Sequence, residues 1–431
     1  MDTTLNRRSF IRSAPAASAG TAAAWSIVKP GTAFGTQANS AIRMGIIGCG
    51  GRGTAVATSF MKHTDTRVVA LADLFEDRLN RGQETFSKLA QEKGFAAVDK
   101  NLIFRGSRAY TRILESKEVD AVLVSSPPFL HPEHLLATVE AGKHVYCEKP
   151  VAVDPFGCQQ VLQAGKKAEG KVSLAVGFQI RHATPFVELA KRIHTGAIGD
   201  IVSGEAYYYA SALKLPAYPG ASAEESRLRH WVWDRHLSGD IIVEQNIHII
   251  DVCNWFLKGH PVKAVGFGGR KGRTDDGNCW SHFNVTYLYP NDVHVSVMST
   301  QFDPGLGDVC ERFFGTKGIS ESHYSGGVFI KGENAWDSGA ARSGQAVSAK
   351  DWATGSFRSA LDDADANKEK AFIESIRSGK RINEAAQGVE SALTAIMGRE
   401  AAYSQKEVTW QKISASKEKW DPKINLKQFD K

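Results

Sequence analysis

The chain lacks the cysteine pairs that staple small folds or grip zinc. Its six cysteines, Cys49, Cys147, Cys158, Cys253, Cys279 and Cys310, are scattered and none stands in a C-x-x-C pair. That argues against a zinc or dithiol redox site and gives no disulfide framework, so no metal is expected. No internal apolar run approaches the roughly 20 residues a membrane helix needs, so no stable membrane insertion is expected of the mature chain. One-sided charge is missing as well. The formal net charge is +6, and Arg7, Arg8, Arg12 and Lys29 stand against Asp2 alone in the first 36 residues. What remains on the body is too mild and too dispersed to suggest nucleic acid. No internal repeat is present. The 431 residues suffice for two domains of roughly 150 residues each plus extensions.

The rest of the chain is organised around Met44-Gly45-Ile46-Ile47-Gly48-Cys49-Gly50-Gly51-Arg52-Gly53. The apolar run Met44 to Ile47 reads as a buried strand that enters Gly48-x-Gly50-x-x-Gly53. Helical spacing follows over 54–62, then a second apolar run over 67–72 that ends on Asp73. Strand, glycine turn, helix, strand and acid is the order of a dinucleotide-binding fingerprint. Gly48 permits the tight turn, Gly50 lets the backbone approach a pyrophosphate, and Gly53 lets helix and strand pack closely. Cys49, Gly51 and Arg52 complete the loop, whose free N–H groups face the phosphates. Asp73 is placed to accept both ribose hydroxyls. Its carboxylate favours NAD over NADP, and Arg52 and Arg78 are nearby cations that keep NADP possible.

Before this stretch, Arg7, Arg8 and Phe10 precede a weakly apolar, alanine-rich segment over 14–28. That pattern resembles a twin-arginine export signal, with cleavage expected within 34–39 and a periplasmic destination. After it, strands and helices alternate: helices over 76–93, from 109 and over 131–141, and strands over 120–126, 143–147 and 171–177. Such alternation argues for a doubly wound parallel sheet, a Rossmann domain of class α/β. Ser126, Pro127 and His131 follow one strand, and Glu148 and Lys149 another, so all five face the ligand crevice. Beyond 182 the texture changes. Alternating or apolar runs over 201–211, 264–269, 282–289 and 294–300 read as a large, open, mostly antiparallel sheet in an α+β domain. Residues 241–257 have helical spacing, 332–355 read as loop, and 370–378 and 384–403 as amphipathic helices. The expected organisation is a signal segment over 1–36, a Rossmann NAD(P)-binding domain over 37–165, an α+β substrate and oligomerisation domain over 166–360, and C-terminal helices and tail over 361–431, packing back on the body.

Gly48-x-Gly50-x-x-Gly53, Glu148-Lys149-Pro150 and Glu244-x-x-x-His248 together resemble the glucose–fructose oxidoreductase / inositol dehydrogenase superfamily, Gfo/Idh/MocA. Read from the residues, Glu244 and His248 are four apart and share a helix face, with Asp251 near it. A carboxylate neighbour holds a histidine base in one tautomer, and a lysine at the crevice stabilises a developing oxyanion. The resemblance implies these catalytic roles for Lys149 and His248. Inositol and sugar dehydrogenases of the superfamily usually carry aspartate where this chain has Glu244. Arg181, Trp233 and Gln245 are further substrate-binding candidates beside Lys149, Glu244 and His248. Trp231, Asp234, His182 and Asn246 are weaker ones, and Asp240 caps the helix.

The expected activity is hydride transfer between a secondary alcohol of a sugar, sugar derivative or cyclitol and a tightly bound NAD(P). His248 takes the proton, Lys149 polarises the oxygen and Glu244 orients the pair. An exported enzyme meets no pool of free NAD, so the cofactor is expected to be loaded first and recycled in place. One alternative is a glycoside-cleaving enzyme using transient oxidation and elimination; another is a non-catalytic NAD-binding sensor. Expected partners are the small-molecule substrate, the twin-arginine machinery, and further copies of the chain in a homodimer or homotetramer, because a large apolar sheet face is normally covered.

Overall fold

The computed structural model describes residues 41–304, 307–340 and 360–430. The paired arginines and the 341–355 part of the expected loop lie outside the described residues. Six strands form the first sheet: β1 (Ile42–Ile47), β2 (Thr66–Asp73), β3 (Ile103–Arg105), β4 (Ala121–Val124), β5 (His144–Cys147) and β6 (Leu174–Val176). They run parallel in the order β3-β2-β1-β4-β5-β6. Covering both faces of such a sheet requires strands that are apolar throughout, and β4 is wholly buried. The connecting helices are α1 (Gly51–His63), α2 (Glu76–Glu92), α3 (Ala109–Glu115), α4 (His131–Glu140) and α5 (Pro155–Ala168). Strand order reverses between β1 and β4, which opens a crevice at their carboxyl ends. The sheet continues past residue 165, because β6 pairs with β5 through Val145–Leu174 and Cys147–Val176. Helix α1 begins at Gly51, three residues before the periodic apolar pattern, because Gly50 is its N-cap and the glycines form its first turn.

The second sheet follows α6 (Thr184–His194). Strand β7 (Ile201–Ala210) leads to the short helices α7 (Ala223–Arg229), α8 (Arg235–Ser238) and α9 (Ile241–Glu244), and then to α10 (Ile247–Phe256). The remaining strands are β8 (Lys263–Gly269), β9 (His282–Tyr289), β10 (Val293–Gln301), β11 (Asp308–Gly315), β12 (Gly318–His323), β13 (Val328–Gly332), β14 (Trp336–Asp337) and β15 (Val408–Thr409). Their order is β14-β13-β12-β11-β7-β10-β9-β8-β15, with β7 and β10 parallel and the other neighbours antiparallel. The four strands legible in the sequence are contiguous, running from the centre of the sheet to the neighbour of its β15 edge. Strand β14 falls inside the 332–355 stretch expected to be loop. One face buries Ala206, Tyr208, Val285, Tyr287, Val295 and Val297, while the alternate residues Tyr207, Tyr209, Val265, Phe267 and Met298 point the other way.

Two C-terminal helices tie the lobes together. On α11 (Ala364–Arg377), Phe372 meets Phe60 and Tyr146 edge-on at 6.0 and 5.8 Å, sealing the face of the parallel sheet that carries α1. Helix α12 (Ala385–Ser404) is rich in alanine and glycine and buried on most sides, against α5, α10 and β8. A helix apolar all round belongs in a core. A last helix, α13 (Trp410–Ala415), precedes an extended tail.

The 241–257 helix is interrupted. Gln245 sits at φ −109° and ψ −48° between α9 and α10. The N–H groups of Gln245 and Asn246 both return to Ile241 O at 2.9 Å, so the turn widens, and His248 N reaches only Gln245 O at 3.5 Å. The carbonyl of Glu244, which a regular helix would pair with the His248 N–H, is left for another donor. Such local widenings recur at functional sites.

Candidate active site

One cavity of about 420 Å³ runs from the glycine turn to the α9–α10 break, a size suited to a small-molecule ligand. Its first end is built by the fingerprint. Gly48 has φ +94°, and a Cβ there would lie 2.6 Å from the backbone of Ser125 and Ser126. A Cβ on Gly53 would overlap Gly48 O. Gly48 lets the ends of β1 and β4 approach and Gly53 lets α1 pack on them, and Gly53 does not line the cavity. Gly50 and Gly51 do line it, and at Gly51 a Cβ would meet nothing within 4 Å. The α1 N-terminus therefore presents bare backbone to the space, as an anion cradle requires.

Asp73 stands at the rim. Its Oδ2 accepts from Cys49 N at 2.7 Å and its Oδ1 from Phe75 N at 3.0 Å, which fixes the carboxylate. Burial raises its pKa, while Arg78 and the two backbone donors pull the other way. The Arg78 guanidinium lies 3.4 Å from where a Gly50 Cβ would be and lines the cavity. Arg52 lines it too but turns inward. It pairs with Glu148 at 3.1 Å and Asp365 at 3.6 Å and donates to Gln179 Oε1 at 2.9 Å. Burial works against its charge, yet Glu148 and Asp365 outweigh burial and raise its pKa. Burial likewise opposes the Asp365 charge, but Lys368 and Arg52 hold that carboxyl down at about 2. Arg52 is thus a strut between the fingerprint, the β5 end and α11, and not the free cation expected near a 2′-phosphate.

At the other end Lys149 Nζ donates to the freed Glu244 carbonyl at 2.5 Å and to Glu244 Oε1 at 3.1 Å. An ammonium has three N–H bonds, so one is left to point into the space it lines. His248, in the first turn of α10, lines the same space. Its Nδ1 is buried without a hydrogen-bond partner. Burial, reinforced by the charges of Lys149 and Arg52, pushes its pKa well below 6.5 and keeps the ring neutral. Gln245 also lines the cavity, with Oε1 held by Gln301 Nε2 at 2.7 Å. Gln301 Oε1 in turn accepts from Arg273 at 2.9 Å. His131 bridges Pro150 O at 2.7 Å and Ser126 O at 2.6 Å, locking the two strand-end loops to each other. Ser126, Pro127 and Glu148 complete the lining between the two ends.

Other candidates are placed elsewhere. Arg181 grips Asp251 with two bonds of 2.8 and 3.0 Å and does not line the cavity. Asp251 also accepts from Ser391 Oγ at 2.7 Å, so it supports Arg181 and not His248. Trp233 packs at a tilt on the His230 ring, 4.8 Å away, and its neighbours Trp231 and Val232 line the cavity instead. Cys49 is buried in the core, contributing its backbone N–H. His182 is half-buried outside the cavity, and desolvation lowers its pKa to about 4. Asp240 caps α9 through the Ile241 N–H at 2.7 Å. Sequence reasoning missed Gln179, Asp365, Lys368 and the Gln301–Arg273 relay. Each comes from a distant segment, and none sits in a motif.

Among the described residues Cys310, Glu321 and His323 could together hold a metal, a grouping invisible to C-x-x-C spacing. They lie on β11 and β12, remote in sequence from every residue lining the cavity. Asp308 and Glu321 already engage both His323 nitrogens at 3.2 and 2.7 Å, and Arg312 pairs with Glu321 at 2.6 Å. This set closes on itself as an ion-pair network.

Two family models match. One, described as an oxidoreductase family with an NAD-binding Rossmann fold, covers residues 42–178; the other, a GFO/IDH/MocA C-terminal domain, covers residues 186–321. The myo-inositol 2-dehydrogenase of Thermotoga maritima is 29% identical over 224 residues, 52% of this chain and 57% of that one. A 1,5-anhydro-D-fructose reductase of Ensifer adhaerens is 28% identical over 187 residues, 43% of this chain and 52% of the relative. The chain thus spans little more than half the length of these curated relatives. The crystal structure of an aldose–aldose oxidoreductase from Caulobacter crescentus superposes with a TM-score of 0.65 at 18% identity, covering 86% of this chain and 99% of that one. A levoglucosan dehydrogenase in complex with NADH and levoglucosan gives 0.62 at 18% identity, covering 85% and 99%. At these identities the two structures share the fold.

Proposed function

We propose that this chain, which belongs to the Gfo/Idh/MocA oxidoreductase family, moves a hydride between a secondary alcohol of a sugar, sugar derivative or cyclitol and a bound NAD. The observation that carries this reading is the meeting of Lys149, Glu244 and His248 in the cavity whose far end is the Gly50–Gly51 cradle and Asp73. Bound NAD supplies the hydride chemistry. The residues supply position and charge. Lys149, held by the backbone carbonyl and Oε1 of Glu244, directs its remaining N–H at the substrate oxygen and stabilises charge developing there. Neutral His248 accepts the hydroxyl proton. Gln245, fixed through Gln301, offers its amide to a neighbouring hydroxyl. Loss of Lys149 or His248 is expected to lower turnover by roughly 10²–10⁴-fold. The test is a sugar, cyclitol and glycoside panel followed by nicotinamide absorbance. Turnover unchanged in Lys149→Ala would sink these roles. Aglycone release with no net redox product would replace the reading with elimination chemistry, and NAD binding without any turnover would leave a sensor.

Two finer statements belong to the same proposal. The Arg7-Arg8 segment directs twin-arginine export, and the enzyme reaches the periplasm with NAD aboard, oxidising one sugar and reducing another. What supports it is the pairing of that segment with a cofactor cavity in one chain. Stoichiometric release of NADH at normal turnover would count against recycling. The exposed face of the second sheet takes another copy of this chain.

A further inference from the structure

The tail after α13 is held at five successive points. Ser416 O accepts from Gln159 at 2.8 Å, and Glu418 O accepts from Phe156 N at 3.0 Å. Trp420 N donates to Asp154 Oδ2 at 2.8 Å, and its ring lies 3.6 Å under the Arg399 guanidinium. Pro422 O accepts from Arg227 at 3.1 Å. Asp430 accepts from Ser107 N at 2.5 Å and Ser107 Oγ at 2.8 Å. From Ile424 on, Ile424, Leu426 and Phe429 are half-buried and join a small cluster with Phe75, Leu228 and Leu237, while Lys423, Lys427 and Gln428 stay exposed. Phe429 meets Phe75 edge-on at 5.8 Å.

Each anchor of the last turn sits on the wall of the cavity. Phe75 and Arg78 follow Asp73, the acid at the ribose position; Gly106 and Ser107 follow β3; all line the cavity, as does Leu426 of the tail. Gly106, at φ +117°, brings Ser107 to Asp430 with no side chain between, since a Cβ there would lie 2.9 Å from Asp430 Oδ1. Arg229 adds a roof from the other lobe, stacking on Phe75 at 3.9 Å and pairing with Asp77 at 3.0 Å. Beyond Asp73 lies the place of the adenine in a fingerprint of this kind.

We propose that the 416–430 tail is part of the cofactor site, a strap across its adenosine end. Leu426 packs on the adenosine, and the Asp430–Ser107 clasp and the Phe429–Phe75 contact hold it there, so NAD leaves only when the strap lifts. This rests on the NAD-binding reading above. Strap and cofactor stabilise each other, because coupling between two bound elements is reciprocal. Affinity changes of this type act mainly through dissociation.

The test uses the full chain loaded with NADH, chased with excess NAD, following nicotinamide fluorescence. Leu426→Ala with Asp430→Asn is expected to speed NADH dissociation at least tenfold with secondary structure unchanged. The second measurement needs no variant. Trypsin cleavage after the exposed Lys423 and Lys427, followed by intact mass, is expected to slow at least fivefold at saturating NAD. Dissociation at the wild-type rate in the variant, or cleavage indifferent to NAD, overturns the strap. If the wild-type chain binds no NADH, the cofactor reading fails first, and that result is distinct from either.

Discussion

At the scale of single residues the site works by setting one base against one acid. Burial and the neighbouring Lys149 charge both disfavour the imidazolium, so His248 is neutral through the neutral range and into acid. A base whose pKa is lowered keeps accepting protons as pH falls until that lowered value is reached. The acid limb of kcat/KM for alcohol oxidation is therefore expected below 6.5. Lys149→Met removes one of the two leading causes and leaves burial, so the limb should move up, toward 6.5, alongside the loss of kcat. A wild-type limb at or above 6.5, or one unmoved in Lys149→Met, contradicts this account. Lys149, Glu244 and His248 were legible because short spacings fix their neighbours: a strand end delivers one, and the short stretch across the α9–α10 break delivers the other two. Arg181 and Trp233, offered as substrate contacts on similar grounds, do not line the cavity, nor does Asp251. Nearness in sequence to the site says nothing about which way a side chain turns, and a buried pair such as Arg181–Asp251 satisfies both groups away from substrate.

At the scale of elements, α12 is the piece on which both lobes lean, and its glycines set how closely. A Cβ on Gly398 would collide with the hydroxyl of Tyr287 on β9, a hydroxyl that is itself buried without a partner. Gly398→Ala is expected to cost about 1–3 kcal/mol as overpacking. Tyr287→Phe alone removes an unpartnered buried oxygen and should be neutral or stabilising. In Gly398→Ala with Tyr287→Phe, part of the loss should return, since the offending atom is gone. Equal destabilisation of the single and double variants in urea titrations would show that the helix, not the tyrosine, bears the strain. Five of the six strands of the first sheet were legible because buried parallel strands are unbroken apolar runs, whereas the short, half-exposed β3 and helix α5 were not read. Strands β11 to β13 were not. Glu311, Ser320 and Ser322 are polar yet buried there, with Ser322 Oγ donating to Glu311 Oε2 at 2.8 Å, so the alternation that marks a strand is masked. The α9–α10 break was invisible too, because its cause is a pair of backbone bonds to one carbonyl.

At the scale of the whole molecule the second sheet has one face covered by helices and one bare. Along β8, β10 and β12 the outward residues include Phe267 at 62% exposure, Val265 at 45%, Met298 at 44% and Ile319 at 37%. Single exposed apolar residues need no explanation, but a row of them on one sheet face is the kind of patch that marks an interface. Because the patch lies on one face of a single sheet, it suits a self-complementary contact, in which the same surface is used by both copies about a two-fold axis. Charges of like sign placed on such a face are then presented twice across the axis, so one substitution acts at two places. Phe267→Asp with Met298→Asp is accordingly expected to shift the sedimenting species from a dimer or tetramer to a monomer. The cavity meets the second sheet from its buried face, through Tyr208, so NADH binding per chain should be unchanged in that variant. A wild-type chain that sediments as a monomer at tens of micromolar, or a variant that assembles as before, would leave the bare face without this role.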